Sequence, residues 1–234
     1  MISLVFFLKP DAVIRRYVGA RTLRTLIDDI SELEFLCFEE IYADRDFLAE
    51  QHYLEHKGKF FYDWLVDYVA SGPIIVSIIR TREENVENIR KILGPTLPEK
   101  AAVEAPNTIR ARYGIMGGVN VAHASDSLES AARESSLWVS YLEKKHDIRI
   151  AEANPGSVLR KVELFVDKYI DFPTIDSVRY RELLRLVVDD VQKRGYVEGK
   201  ICRLLEIETE DKYVNSGATR TLARSIVESV LLRK

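Results

Sequence analysis

Seven residues near the start of this 234-residue chain, Ile2-Ser3-Leu4-Val5-Phe6-Phe7-Leu8, form an almost unbroken apolar run. A strand with one wet face would alternate apolar and polar residues. This one does not, so it reads as a central strand covered on both faces. Lys9-Pro10 ends it, because proline cannot donate to a β-ladder. Lys9 is thereby left at the C-terminal edge of a buried strand, where open sheets of mixed α and β structure tend to place ligands.

The segments that follow supply partners for that strand. Residues 17–30 carry Val18, Leu23, Leu26, Ile27 and Ile30, one apolar stripe of a helix. Residues 33–42 (LEFLCFEEIY) predict a second strand, and residues 74–79 (IIVSII) a third, buried one. Between them, 47–56 and 60–70 predict two short helices, the second ended by Ser71-Gly72-Pro73. Residues 83–93 predict an amphipathic helix with acidic residues in its first turn and Gly94 as its stop. Residues 95–107 hold three prolines and predict a loop. Residues 108–123 return to the core and end in a strand, and Asp126-Ser127 offers the cap for a helix over 128–135. The order β-α-β-αα-β-α-loop-β-α predicts an α+β fold: a ferredoxin-like split βαβ antiparallel sheet, with helices on one face.

After Trp138 the character changes. Residues 146–157 form a polar connector, followed by helices over 158–170, 178–206 and 216–232, with Gly195 and Gly199 as breaks in the middle one. The expected division is a domain over 1–144 and a helical extension over 145–234. Leu222, Ile226 and Val230 give the last helix an apolar face, which implies packing on the first domain or on a partner.

Composition excludes several classes. A net charge of -3 and a pI near 5.9 argue against a nucleic-acid binder working through bulk charge. The opening apolar run is too short for a membrane span and lacks a basic leader, so a cytoplasmic, non-membrane protein is expected. Cys37 and Cys202 lie far apart, show no zinc spacing, and suit a reducing compartment.

The residues that carry chemistry converge on Asn120-Val121-Ala122-His123-Ala124-Ser125-Asp126-Ser127. His123 sits where a strand surfaces into a helix start. A neutral imidazole is a usable nucleophile near neutral pH, its unperturbed pKa being about 6.5. Alone, such a histidine is more often just a residue at a strand end.

The order and local contexts of the other candidates resemble the nucleoside diphosphate kinase family. The matching pieces are Phe7-Leu8-Lys9-Pro10-Asp11, His52-Tyr53 with Phe60-Phe61, Ser71-Gly72-Pro73, Arg90 with Leu93-Gly94 and Thr96, Thr108-Ile109-Arg110, the stretch 120–127, and Glu129-Ser130-Ala131 leading to Glu134 and Leu137-Trp138. The resemblance covers about residues 1–139. It implies a ping-pong reaction in which a nucleoside triphosphate such as ATP gives its γ-phosphoryl group to His123, and the phosphohistidine passes it to a nucleoside diphosphate.

The resemblance also implies roles. Glu134 would hold the ring nitrogen opposite the attacking one, and Ser125 would hold Glu134. Lys9, Arg90 and Arg110 would bring positive charge to the phosphates, Thr96 a neutral donor, and Tyr53 would sit beside the histidine and the terminal phosphate. Lys9 and Asn120 would meet the ribose, and Phe61 would stack on the base. Mg²⁺ would accompany the phosphates, with Asp126 touching it through water. Homo-oligomers are usual in the family. Phosphoryl transfer needs little else than an in-line nucleophile and positive charge around the equatorial oxygens.

Departures cluster before the histidine. Gly117-Gly118-Val119-Asn120 lacks the family's basic residue, and Gly117 stands where an apolar residue normally closes over the base. Ala124 replaces a glycine, and Ala111-Arg112-Tyr113 a glycine and an acidic residue. The alternative reading is a nucleotide-binding regulatory or scaffold module whose C-terminal helices do the work.

Overall fold

The structure, a computed structural model, describes residues 1–232. The last two residues of the expected 145–234 extension lie outside the described residues.

β1 (Ile2–Leu8) is the central strand, antiparallel to β4 (Ile74–Thr81) on one side and β5 (Ala122–Ala124) on the other. β2 (Glu34–Phe35) and β3 (Glu39–Ile41) both pair antiparallel with β4 on its far side. Taken as one interrupted strand, they give the ferredoxin-like order, with β1 and β4 in the middle. Leu4 to Leu8 are all fully buried. Burial at about 1.5–3 kcal/mol per large apolar side chain makes β1 the energetic centre of the domain. The two-sided cover expected of that run is present. Leu8 lies against Gly19 of α2 (Arg16–Asp29), and Phe7 against Trp138 of α8 (Leu128–His146). Successive strand side chains point to opposite faces, so these helices cover opposite faces. Helices on one face alone would have left Phe7 in water.

The expected second strand over 33–42 is interrupted because Cys37 takes a ladder position: the Ile78 N–H donates to its Sγ at 3.2 Å. The stretch expected as a helix over 47–56 is instead a short α3 (Arg45–Phe47), a π-helical turn (Leu48–His52) and a 3₁₀ turn (Leu54–His56) before α4 (Tyr62–Ala70). π-turns re-aim side chains, often at functional sites, and this one presents His52 and Tyr53. The expected loop over 95–107 contains α6 (Pro98–Glu104), started by Pro98 in its first turn, where proline is well tolerated. α7 (Ile109–Tyr113) stands where a return strand was expected, and only residues 122–124 pair with β1. α5 (Glu84–Leu93) ends at Gly94 as expected; φ is +81° there, and a Cβ would lie 2.2 Å from Thr108 Oγ1. α8 is capped by Ser127, whose Oγ accepts from the Ser130 N–H at 3.0 Å, and runs well past residue 135.

The remaining chain forms α9 (Pro155–Tyr169), α10 (Ser177–Asp189), α11 (Arg194–Ile207), α12 (Asp211–Asn215) and α13 (Ala218–Leu231). Gly195 and Gly199 do not break the middle helix; both lie inside α11. The break falls at Asp190, whose side chain accepts from the Gln192 N–H and caps a new turn. A second break falls at Gly217, φ +77°.

These helices share a polar core with the first domain. At the junction of α1 (Pro10–Ile14) and α2, Arg15 Nε donates to Glu208 at 3.0 Å, and its Nη1 to the Tyr113 carbonyl at 2.7 Å. Tyr180 donates to the same Glu208 carboxylate. Arg16 donates to Glu210 at 2.7 Å and to the Tyr213 hydroxyl at 2.5 Å. α13 packs on α1 and α4. Among the described residues, no helix is long and apolar enough to cross a membrane.

Candidate active site

One cavity of about 850 Å³ opens at the C-terminal end of β1, with Lys9, Tyr53, Phe61, Arg90, Thr96, Arg110, Asn120, His123, Asp126 and Glu134 all on its walls. Ser125 sits behind Glu134, not on the wall. Residues spread over some 130 positions of chain are thus brought together.

His123 is placed by β5. It pairs with Phe7 across the sheet, and the two rings stack at 4.9 Å. Its Nε2 lies 2.8 Å from Glu134 Oε2, which also accepts from Ser125 Oγ at 2.9 Å. Glu134 comes from α8, so the helix cap at Ser127 fixes the geometry of the pair. Burial pushes the Glu134 carboxyl upward, but His123 and the hydrogen bonds outweigh it and hold the pKa at about 2. The contact engages Nε2, not Nδ1.

The approach to His123 is strained. Val121, a β-branched residue, has φ +78°. It is clamped from both sides: its N–H donates to Asp11 Oδ2 at 3.1 Å, and its carbonyl accepts from the Lys9 N–H at 2.9 Å. Asp11 is fully buried and also accepts from the Tyr68 hydroxyl at 2.5 Å. Strain of this kind persists only where the surroundings over-determine it.

Lys9, Arg90 and Arg110 lie close enough to act on one another, and buried Asp11 opposes that in part. Lys9 Nζ donates to Asn120 Oδ1 at 2.8 Å and to the Gly118 carbonyl at 3.1 Å. Burial, aided by Arg110, lowers its pKa to about 7. Arg110 donates to the carbonyls of Gly94, Ala122 and Asn120, and burial with the nearby Arg90 lowers it to about 9. Arg90 reaches the Ala124 carbonyl at 3.5 Å. Asn120 Nδ2 donates to the Thr96 carbonyl at 2.8 Å, which fixes that loop. Tyr53 is 4% exposed and its hydroxyl has no hydrogen-bond partner among the described residues. A buried orphan hydroxyl on the wall of the cavity that Lys9, Arg90 and Arg110 also line is available to donate to a ligand.

The structure adds His52, Val121, Asp11 and Tyr68 to the residues that the sequence points to. His52 accepts from Trp138 Nε1 at 3.2 Å on its Nδ1, and its ring meets His123 edge-on at 4.7 Å. Burial keeps its pKa well below the ordinary value, so it presses on His123 as a neutral ring. His52, His123 and Glu134 place donor atoms within 4.8 Å of one another. His123 and Glu134 are already joined by their own hydrogen bond, and Mg²⁺ prefers oxygen ligands, so this trio does not suit that ion. Asp126 does. It is exposed on the rim, and its pKa is lowered chiefly by the Ser130 hydroxyl, so it stays anionic. One exposed carboxylate on the rim of a cation-lined cavity fits a divalent ion that would keep most of its water.

The family model for nucleoside diphosphate kinase matches residues 3–143. The chain belongs to the nucleoside diphosphate kinase family. It is 44% identical over 134 residues to the nucleoside diphosphate kinase of Pyrococcus furiosus, covering 56% of this chain and 78% of the relative. It is 43% identical over 131 residues to that of Streptomyces avermitilis, covering 56% and 90%. The Aquifex aeolicus nucleoside diphosphate kinase structure superposes with a TM-score of 0.53 at 31% identity, covering 61% of this chain and 97% of that one. That of Halobacterium salinarum, in complex with CDP, gives 0.51 at 27% identity, covering 62% and 90%. Members are phosphotransferases acting on nucleotides with a divalent cation. The family match stops at residue 143, so α9 to α13 lie beyond it.

Proposed function

We propose that the chain is a nucleoside diphosphate kinase working by ping-pong transfer through a phosphohistidine at His123. The observation that carries this is the Ser125–Glu134–His123 relay at a cavity also lined by Lys9, Arg90, Arg110 and the unpartnered Tyr53 hydroxyl. The lone pair of His123 Nδ1 attacks the γ-phosphorus of a nucleoside triphosphate. The bond from phosphorus to the bridging oxygen breaks, and the nucleoside diphosphate leaves with that electron pair. The imidazole becomes cationic, and the Glu134 carboxylate stabilises it through Nε2–H. Arg90, Arg110 and the hydroxyls of Thr96 and Tyr53 receive the phosphate oxygens; Lys9 and Asn120 face the ribose; Phe61 stacks on the base. A second nucleoside diphosphate reverses the steps with its own terminal oxygen. Mg²⁺, held by the phosphates with Asp126 through water, would offset phosphate charge.

Residues 1–144 form the catalytic unit in this reading, and 145–234 an extension on it. The free thiols Cys37 and Cys202 suit a cytoplasmic setting, and a homo-oligomer is the family-like assembly. The intact relay favours the enzyme over a regulatory module. The test is to load the protein with ATP and Mg²⁺, remove nucleotide, and add GDP. Stoichiometric GTP from the isolated protein supports ping-pong transfer; GTP formed only while ATP is still present refutes it.

A further inference from the structure

The cavity lining is of two kinds. Lys9, Arg90, Arg110 and His123 supply polar groups. Phe61, Trp64, Gly117 and Gly118 supply apolar surface, and Ser229 and Leu232 join the same lining. Ser229 lies on α13 and Leu232 directly follows it, far outside the family-matched residues 3–143. The extension therefore reaches the site itself.

α13 also braces the wall beside it. The Trp64 Nε1–H donates to the Ser225 carbonyl of α13 at 3.1 Å, and the Trp64 ring stacks on Tyr68 at 5.3 Å. Held there, it lies over Gly118, where a Cβ would come within 2.7 Å of Trp64 Cζ3. Gly118 thus leaves room for Trp64. Gly117, whose φ of +57° suits glycine, lines the same cavity as Leu232.

We propose that Leu232, with Trp64 held by α13, is a nucleobase-contacting wall, so that base affinity and selectivity are set by the C-terminal extension. This rests on the nucleotide-transfer reading above. Phe61 offers one apolar surface to the base, and Leu232 and Trp64 offer a second. Apolar walls grip any base, and their spacing decides how large a base fits.

The test uses the full chain carrying Leu232→Ala or Leu232→Trp. Each is assayed with purine and pyrimidine nucleoside diphosphates, and with phosphoramidate, a phosphoryl donor without a base, as the label for His123. Expected are a KM for nucleoside diphosphates raised about tenfold in Leu232→Ala, and in Leu232→Trp a loss of purine relative to pyrimidine kcat/KM of about tenfold. Phosphoramidate labelling reports whether the nucleophile remains intact in each variant. Unchanged KM and base preference in both variants would overturn the proposal. So would a lowered melting temperature with unchanged KM, or equal loss of nucleotide and phosphoramidate reactions, since either makes Leu232 structural. If the wild type takes no label from ATP, the transfer reading fails instead. Calorimetric ADP binding then decides, an equal Kd for wild type and Leu232→Ala overturning the wall.

Discussion

Replacing Glu134 by glutamine removes one charge and little else. The side chain keeps its length and can still accept from Ser125, which lies 2.9 Å away. What is lost is the anion 2.8 Å from His123 Nε2. The depression of the Glu134 pKa from 4.5 to about 2 measures how strongly its surroundings favour the carboxylate. At 1.36 kcal/mol per unit this net depression, left after desolvation has opposed it, is about 3 kcal/mol, the order of what the charge returns to a cationic imidazole. His123 becomes cationic as its Nδ1–P bond forms, so the transition state loses most of that and the ground state little. Glu134→Gln is expected to slow phosphorylation about 100-fold. The assay is rapid mixing with γ-labelled ATP and Mg²⁺, stopped in alkali, counting label on protein. The defect should be constant from pH 8 to 9.5, where an imidazole is neutral before it attacks, and smaller at acidic pH, where an imidazole is already cationic. A depressed carboxyl pKa gives its contribution fully above the ordinary value and loses it only as pH falls toward about 2. A Glu134→Gln rate within about threefold of wild type would refute the relay, as would a defect that grows with pH from pH 8 to 9.5.

Lys9, lowered to about 7 in the nucleotide-free site, is charged below that pH and neutral above it. ADP, an anion, favours the charged form, so its association constant should fall by up to about tenfold per pH unit above 7, with proton uptake near pH 8 detectable by calorimetry in two buffers; binding without proton uptake would count against this. Glu208→Ala strands the Arg15 guanidinium in a buried site and should cost about 3–5 kcal/mol in urea denaturation, against a null expectation of under about 1 for an exposed pair. Gly118→Ala drives a methyl into the Trp64 ring and should cost about 1–3 kcal/mol in the same assay while weakening ADP binding; an unchanged Kd would show that Trp64 yields freely.

That His123, Glu134, Ser125 and the cations gather at one cavity was legible because each residue is embedded in a distinctive local motif. The central strand was legible for a different reason: two-sided burial writes itself as an unbroken apolar run. What was not legible depends on contacts between distant segments. Cys37 looks like any apolar strand residue until its sulfur meets the Ile78 N–H. The π-turn at Leu48–His52 has ordinary helical composition. Pro98 carries a loop signal in a three-proline stretch, although proline can also open a helix, as it does here. Gly195 and Gly199 sit in open space inside α11, where they weaken a helix without ending it. The reach of Leu232 into the cavity follows from how α13 packs on α4, which no periodicity in either helix encodes.

The most direct test of the central claim is to locate the phosphoryl group at atomic level. After brief exposure to ATP and Mg²⁺, mass spectrometry and phosphorus NMR of the intact protein should show one acid-labile, alkali-stable phosphoryl group on Nδ1 of His123. It should be absent from His123→Ala and discharged by a second nucleoside diphosphate. A protein that binds ATP yet carries no phosphoryl group, or that carries it on another residue in His123→Ala with transfer intact, would contradict it.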